Sequence, residues 1–236
     1  MLIRLARRAR ARMRGVRVPP PGLVIMGDLR RLEPISREYG FDRGSPIDRY
    51  YIETFLAAQA PLITGRVLEI GERLYTGKFG QDVAVSDMLH VGGHPEATYV
   101  DDLATGETVP SGLYDCVILT QTLHLIFDME AALRTILRIL KPGGVLLCTV
   151  PGITQIADSD WNDTWYWSLS RSAARKLCGK VFGEAQVEVQ QYGNVLSATA
   201  FLQGIAAEEL ERRELDFFDA EYPVTIAVTA RAGTAA

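Results

Sequence analysis

Acidic residues recur at the ends of the short apolar runs in the first half of this chain. Glu69 stands two residues before Gly71 at the end of the run GRVLEIG, Asp87 follows the run at 83–85, 16 residues after Gly71, and the pair Asp101 and Asp102 follows the run at 97–100. A carboxylate at the carboxyl end of a strand can accept hydrogen bonds from ribose hydroxyls or an adenine amine, and a glycine there lets backbone approach a ligand. Taken singly, each acid is also an ordinary turn-former or helix cap. Taken together they mark a nucleotide-type pocket just beyond Gly71. Asp87, His90 and His94 also have spacings that could hold a metal ion, but Gly92 and Gly93 loosen the segment and no neighbouring Cys or second acid completes a ligand set, so no metal site is expected. The chain has no Walker loop, no Gly-x-Ser-x-Gly elbow and no zinc-type cysteine pairing.

For those acids to converge, the apolar runs must be strands of one sheet. The runs at 67–70, 83–85, 97–100 and 116–119 are short and continuous. A helical stretch over 129–140 follows, with Ala132, Leu133, Ile136, Leu137 and Leu140 on one side, and leads through Pro142, Gly143 and Gly144 into a strand at 145–150. Continuous apolar strands interleaved with helices predict an α/β fold, doubly wound, with a mainly parallel seven-stranded sheet covered on both faces. After Pro151 come a polar, aromatic loop holding Trp161, Trp165, Tyr166 and Trp167, a helix over 170–181, a strand over 185–191, a helix over 195–210 and a last strand over 224–230. Upstream, Ser45 followed by Pro46 reads as a helix start, with Asp48 favourable in the first turn and an end near Pro61.

The length of 236 residues suits one such domain, expected over 23–236, preceded by a basic tail and linker over 1–22. The net charge of −4 conceals an asymmetry: residues 1–17 hold seven Arg and no acid, while the rest of the chain carries 18 basic against 29 acidic side chains. An acidic body lacks the positive face that phosphate backbones require, so no nucleic-acid partner is expected, and any peripheral membrane or protein contact would run through the Arg-rich N-terminus. Three cysteines, two of them inside apolar runs, argue for a reducing compartment, and with no apolar stretch long enough for a membrane span the expectation is a cytoplasmic protein.

The stretch YDCVILTQTLHLIFDMEAALRTILRILKPGGVLLCTVPG, residues 114–152, resembles the fourth strand, following helix and fifth strand of class I S-adenosylmethionine-dependent methyltransferases, type 11-like. The aromatic-Asp strand start, TLHLIFD after the strand and RILKPGG before the next carry the resemblance. In that family the first strand usually runs into acid-x-Gly-x-Gly-x-Gly. Here the segment is Glu69-Ile70-Gly71-Glu72-Arg73-Leu74-Tyr75, with bulky Arg73 and Tyr75 in place of two glycines, and only about eleven residues separate Gly71 from the second strand, too few for a full helix plus loops. The chain, with RGSPIDRYYIETFL ahead of this loop, is similar to a subgroup associated with polysaccharide or glycoconjugate gene clusters.

The resemblance implies S-adenosylmethionine as cofactor, with Glu69 and Gly71 near its methionine end, Asp87 near ribose, Asp102 near adenine and Gln121 beside the methyl group. Arg49 and Tyr51 would close over the site from the preceding helix, Arg49 as a carboxylate partner. His124, just past the fourth strand, is the candidate base if the acceptor is a hydroxyl. The tryptophan-rich loop would form a lid or a sugar-stacking platform, or simply pack over the sheet edge. The activity so implied is methyl transfer, by O-methylation, to a small-molecule or glycan acceptor. The altered loop also permits a catalytically inactive relative that acts as scaffold or binding partner in a glycosyltransferase system.

Overall fold

The structure, a computed structural model, describes residues 18–157 and 162–234. The arginines at 1–17 and Trp161 therefore lie outside the described residues. The chain divides into two units, Met1–Pro34 and Ile35–Ala236, so the break falls after Pro34, whereas composition places it near Gly22. Within the first unit the described part holds a single 3-10 turn, Gly27–Leu29.

The second unit is built on seven strands: β1 (Gly65–Ile70), β2 (Val83–His90), β3 (Tyr99–Val100), β4 (Tyr114–Thr120), β5 (Leu140–Pro151), β6 (Val187–Tyr192) and β7 (Thr225–Arg231). Their order across the sheet is β3-β2-β1-β4-β5-β7-β6. The first five pair in parallel, and β7 runs antiparallel to both β5 and β6. The sheet is thus the mainly parallel, doubly wound one that the apolar runs predict. Strand order reverses direction between β1 and β4, and the crevice above their carboxyl ends is where such sheets bind ligands.

Side chains alternate across a strand, so a run apolar at every position feeds two cores. In β4, Cys116 and Ile118 join Ile52, Phe55, Val67 and Leu147 on one face, while Val117 and Leu119 join Leu133, Ile136 and Cys148 on the other. The first face is covered by α1 (Ile47–Ala58) and the short α2 (Tyr75–Phe79); the second is covered by α3 (Met129–Ile139) and α4 (Arg171–Phe182). A third cluster joins Ile47 and Tyr51 of α1 to Phe201 of α5 (Val195–Leu202) and to Leu215 of α6 (Arg212–Asp216). The three cysteines are free and buried in these cores.

Local chemistry sets the helix ends. Asp128 caps α3 by accepting from Ala131 N–H at 2.9 Å, Ser170 caps α4, and Asn194 with Ser197 forms a capping box on α5. Ser45 does not cap α1 as expected; Pro46 holds the cap position without a side-chain bond, and Ser45 N–H donates to Glu208 at 2.8 Å. The helix expected over 195–210 stops at Leu202, because Gly204 turns with φ +66° against the Ser36 carbonyl. The second strand, expected at 83–85, continues to His90, and the fifth begins at Leu140 rather than 145, with an irregular register against β4 between Tyr114 and Cys116. Among the described residues no helix is long and apolar enough to cross a membrane.

Candidate functional site

A cavity of about 930 Å³ opens above the strand tips, and its wall includes Gly71, His90, Asp102, Gln121 and His124. That volume lies toward the upper end of the range for small-molecule pockets.

Gly71 follows β1 with φ +90°, and nothing stands within 4 Å of the position a Cβ would take. Its φ favours glycine, and the open space leaves backbone exposed to the cavity. Glu69, two residues earlier, is buried and turned inward. Its Oε1 accepts from the N–H groups of Leu74 and Tyr75 at 3.1 and 2.8 Å, and its Oε2 accepts from Thr76 N–H and Oγ1 at 2.8 Å each. One carboxylate thus satisfies the first-turn amides of α2 that would otherwise lack partners. Glu69 is absent from the cavity wall.

The two bulky residues of this loop diverge. Arg73 reaches over β2, donating to the Ser86 carbonyl at 3.1 Å and to Glu96 at 3.4 Å, and lies outside the cavity wall. Tyr75 is buried in the wall and stacked on Phe79 with centroids 6.2 Å apart; burial pushes its phenol up to about 12. The cavity persists beside it.

Asp87 does not sit at a strand end as expected. Because β2 runs on to His90, Asp87 lies three residues, or roughly 10 Å of strand, short of the tip. Its Oδ2 accepts from Arg66 Nε at 2.7 Å and from the Tyr114 hydroxyl at 3.1 Å, so it locks β1, β2 and β4 together below the cavity. His90 takes the tip position instead. His90 and His94 lie with ring centroids 5.9 Å apart, each Nδ1 accepting a backbone N–H, from Gly92 and Glu96 respectively. Asp102 is exposed in the cavity wall, with Oδ1 accepting from Ala104 N–H at 2.8 Å, while Asp101 turns away to Thr108.

On the other side of the switch point, Gln121 follows β4 with φ +47°, an uncommon conformation for a side chain of that size. Its N–H donates to the Thr149 carbonyl at 2.9 Å, and its buried Nε2 has no partner among the described residues. His124, 2% exposed on the turn Leu123–Leu125, meets Trp165 edge-to-face at 4.5 Å. Its Nδ1 and Trp165 Nε1 likewise lack partners among the described residues, and burial pulls the imidazole down to about 4. Trp167 ties the aromatic loop down by donating from Nε1 to the carbonyls of Ile126 and Phe127.

Helix α1 closes the remaining side. Arg49 lines the cavity, its guanidinium 5.0 Å from the Phe41 ring centroid. Tyr51, expected to close over the site beside it, faces the opposite way. Its hydroxyl donates to the Leu215 carbonyl at 3.0 Å, and its ring stacks on Tyr192. Helical periodicity explains the split: Ile47 and Tyr51, four apart, share the face packed on α5, and Asp48 and Ile52 share the face in the cavity wall. Asp48 is therefore a site residue that the sequence reading confined to a helix start. Its Oδ1 accepts from Arg49 N–H at 2.7 Å, and burial, partly opposed by that bond and by the Arg49 charge, pushes its carboxyl up to about 6. Tyr39 lines the wall nearby, its hydroxyl without a partner among the described residues and pushed up by burial and by Asp48.

Gly71, Asp102, Gln121, His124 and Arg49 thus meet at one cavity, and Glu69, Asp87 and Tyr51 support it from outside. The open backbone at Gly71, the exposed Asp102 carboxylate and the unpartnered Gln121 amide fit a nucleoside with a charged amino-acid tail.

Residues 32–190 match a family model described as a methyltransferase domain. The chain is 29% identical over 163 residues to the lovastatin diketide synthase mokB of Monascus pilosus, covering 66% of this chain and 5% of that protein. It is 33% identical over 78 residues to a methyltransferase of Claviceps purpurea, covering 33% of this chain and 24% of that one. The chain therefore spans only a small part of either relative's length. In fold it resembles an S-adenosylmethionine-dependent methyltransferase of Archaeoglobus fulgidus, with a TM-score of 0.52 at 14% identity over 78% of this chain and 94% of that one.

Proposed function

The chain belongs to the methyltransferase domain family, and from that premise we propose that it moves a methyl group from S-adenosylmethionine to a hydroxyl of a small-molecule or glycan acceptor. The observation that carries this reading is the single cavity over both sides of the switch point, with Gly71 and Asp102 in one part of its wall and Gln121 and His124 in the other. S-adenosylmethionine, when bound, supplies a sulfonium methyl group: the acceptor oxygen's lone pair forms the new O–CH3 bond, the C–S pair stays on sulfur, and the hydroxyl proton leaves to a base.

Asp102 would accept from the nucleoside, Gln121 would orient the reacting end through its free amide, and Arg49 would pair with the cofactor carboxylate. Such a reaction asks mainly for alignment, which rigid strand tips supply. His124, held neutral by burial at about 4, can accept a hydrogen bond but is a weak base at neutral pH.

Calorimetric titration with S-adenosylmethionine and S-adenosylhomocysteine tests the proposal. Micromolar binding of both supports it; absence of binding by folded protein would overturn it in favour of a scaffold.

A further inference from the structure

Independently of methyl transfer, we infer that residues 1–34 dock the chain onto an anionic lipid surface, with the apolar run at 23–26 in the interface and the arginines of the segment on the headgroups. Residues 1–34 carry nine Arg and two acids, whereas residues 35–236 carry 16 basic and 27 acidic side chains. An anionic surface attracts the first segment and repels the second, which confines the contact to one part of the chain.

The described part of that segment, 18–34, adds an apolar element. Leu23, Val24, Ile25 and Met26 follow one another, and all four are exposed, Leu23 at 67% and Ile25 at 95%. Val18 and Leu32, to either side in sequence, are exposed as well. Single exposed apolar side chains are ordinary on a protein surface, but a consecutive run of four marks a contact, because every member gains by leaving water.

Local geometry presents the run as a turn. Gly22 and Gly27 bracket it with φ +82° and +51°, with nothing within 4 Å of either Cβ position, and Leu23 N–H donates to the Pro20 carbonyl at 3.1 Å. Pro19, Pro20 and Pro21 have no backbone N–H, so the chain leading in brings fewer donors that would lose water at an interface. The 3-10 turn Gly27–Leu29 leads out to Arg30 and Arg31, both exposed and without an ion-pair partner among the described residues.

An anionic bilayer satisfies both kinds of side chain at once: guanidinium groups pair with the headgroups while the run at 23–26 enters the acyl boundary. Two weak signals together hold a chain at a membrane where one does not. A nucleic acid would meet the arginines and leave the apolar run in water. A protein partner would need an acidic face and an apolar groove at matching spacing, which a lipid surface offers everywhere.

The test is co-sedimentation of the full chain with vesicles of phosphatidylcholine alone and of phosphatidylcholine mixed with phosphatidylglycerol. The expected result is binding to the mixed vesicles, at least tenfold or so weaker to phosphatidylcholine alone, and weakened by added salt. Leu23→Ser with Ile25→Ser should weaken binding about tenfold through the apolar run, and Arg7→Gln with Arg8→Gln by a similar factor through the charge. Leu23 and Ile25 lie outside the core, and an unchanged thermal melt of the serine variant verifies that the fold is intact. Absence of binding to the mixed vesicles overturns the inference and leaves a protein as the partner. Undiminished binding by the serine variant, with equal affinity for polyuridylate, overturns it in favour of a general polyanion contact.

Discussion

Oε2 of Glu69 accepts both the backbone N–H and the hydroxyl of Thr76, each at 2.8 Å. With Oε1 taken by Leu74 and Tyr75, the carboxylate holds the loop after β1 in shape, a task that backbone alone performs poorly where two glycines are missing. Glu69→Ala should therefore cost about 3 kcal/mol of stability, because it strands buried donors that had a charged acceptor. Urea denaturation measures this; a loss below about 1 kcal/mol would mean that water replaces the carboxylate.

Asp87 is expected to act on stability rather than on ligand affinity. Its partner Arg66 has a side chain 32% exposed, so solvent screens the pair and the loss on Asp87→Asn is discounted to about 1–2 kcal/mol. Affinity for S-adenosylhomocysteine should stay within roughly twofold, as no contact with the ligand is removed. A larger fall would restore Asp87 to the ribose role suggested by its place in the sequence.

Asp102→Ala reverses that pattern. The residue is exposed and caps only its own turn, so stability should change by less than about 1 kcal/mol. Affinity for S-adenosylhomocysteine should fall about tenfold or more, as expected for a lost hydrogen bond to a charged group. Calorimetry on the two aspartate variants side by side separates the roles.

Asp48 and His124 predict opposite pH dependences. The Asp48 carboxyl stands at about 6 when folded against an ordinary value of 3.8, so its contribution to stability is complete below the unfolded value and is lost as pH rises through 6. Arg49 on the same helix, Tyr39 ahead of it and Tyr75 from α2 are the ionisable groups around it. Asp48→Asn should thus stabilise the chain at pH 8 by roughly 1–2 kcal/mol, with the gain gone by about pH 4. His124, at about 4 against an ordinary 6.5, contributes stability present above 6.5 and lost as pH falls toward 4. Thermal melts of the wild-type chain, Asp48→Asn and His124→Gln across that window read both slopes.

The sheet was legible because its central strands are apolar at every position, which only burial on both faces permits. The site was less so. In β2 the polar residues Ser86, Asp87 and His90 interrupt the apolar run, so the strand reads three residues long, and its acid seems to stand at the tip. Glu69 carries no sequence mark that distinguishes a loop brace from a ligand contact; only the four hydrogen bonds decide. Tyr51 and Asp48 could have been assigned to opposite sides from helical spacing alone, since Ile47 and Tyr51 repeat at four and so do Asp48 and Ile52. Gln121 and His124 were expected from the pattern of the segment after β4, and both line the cavity.

The burial of every cysteine has a practical consequence. Cys116, Cys148 and Cys178 lie under the helices with their thiols pushed up by desolvation, and it is the thiolate that reacts. Alkylation by a maleimide must therefore wait for the sheet to part, so that the rate of labelling becomes a clock for opening of the core.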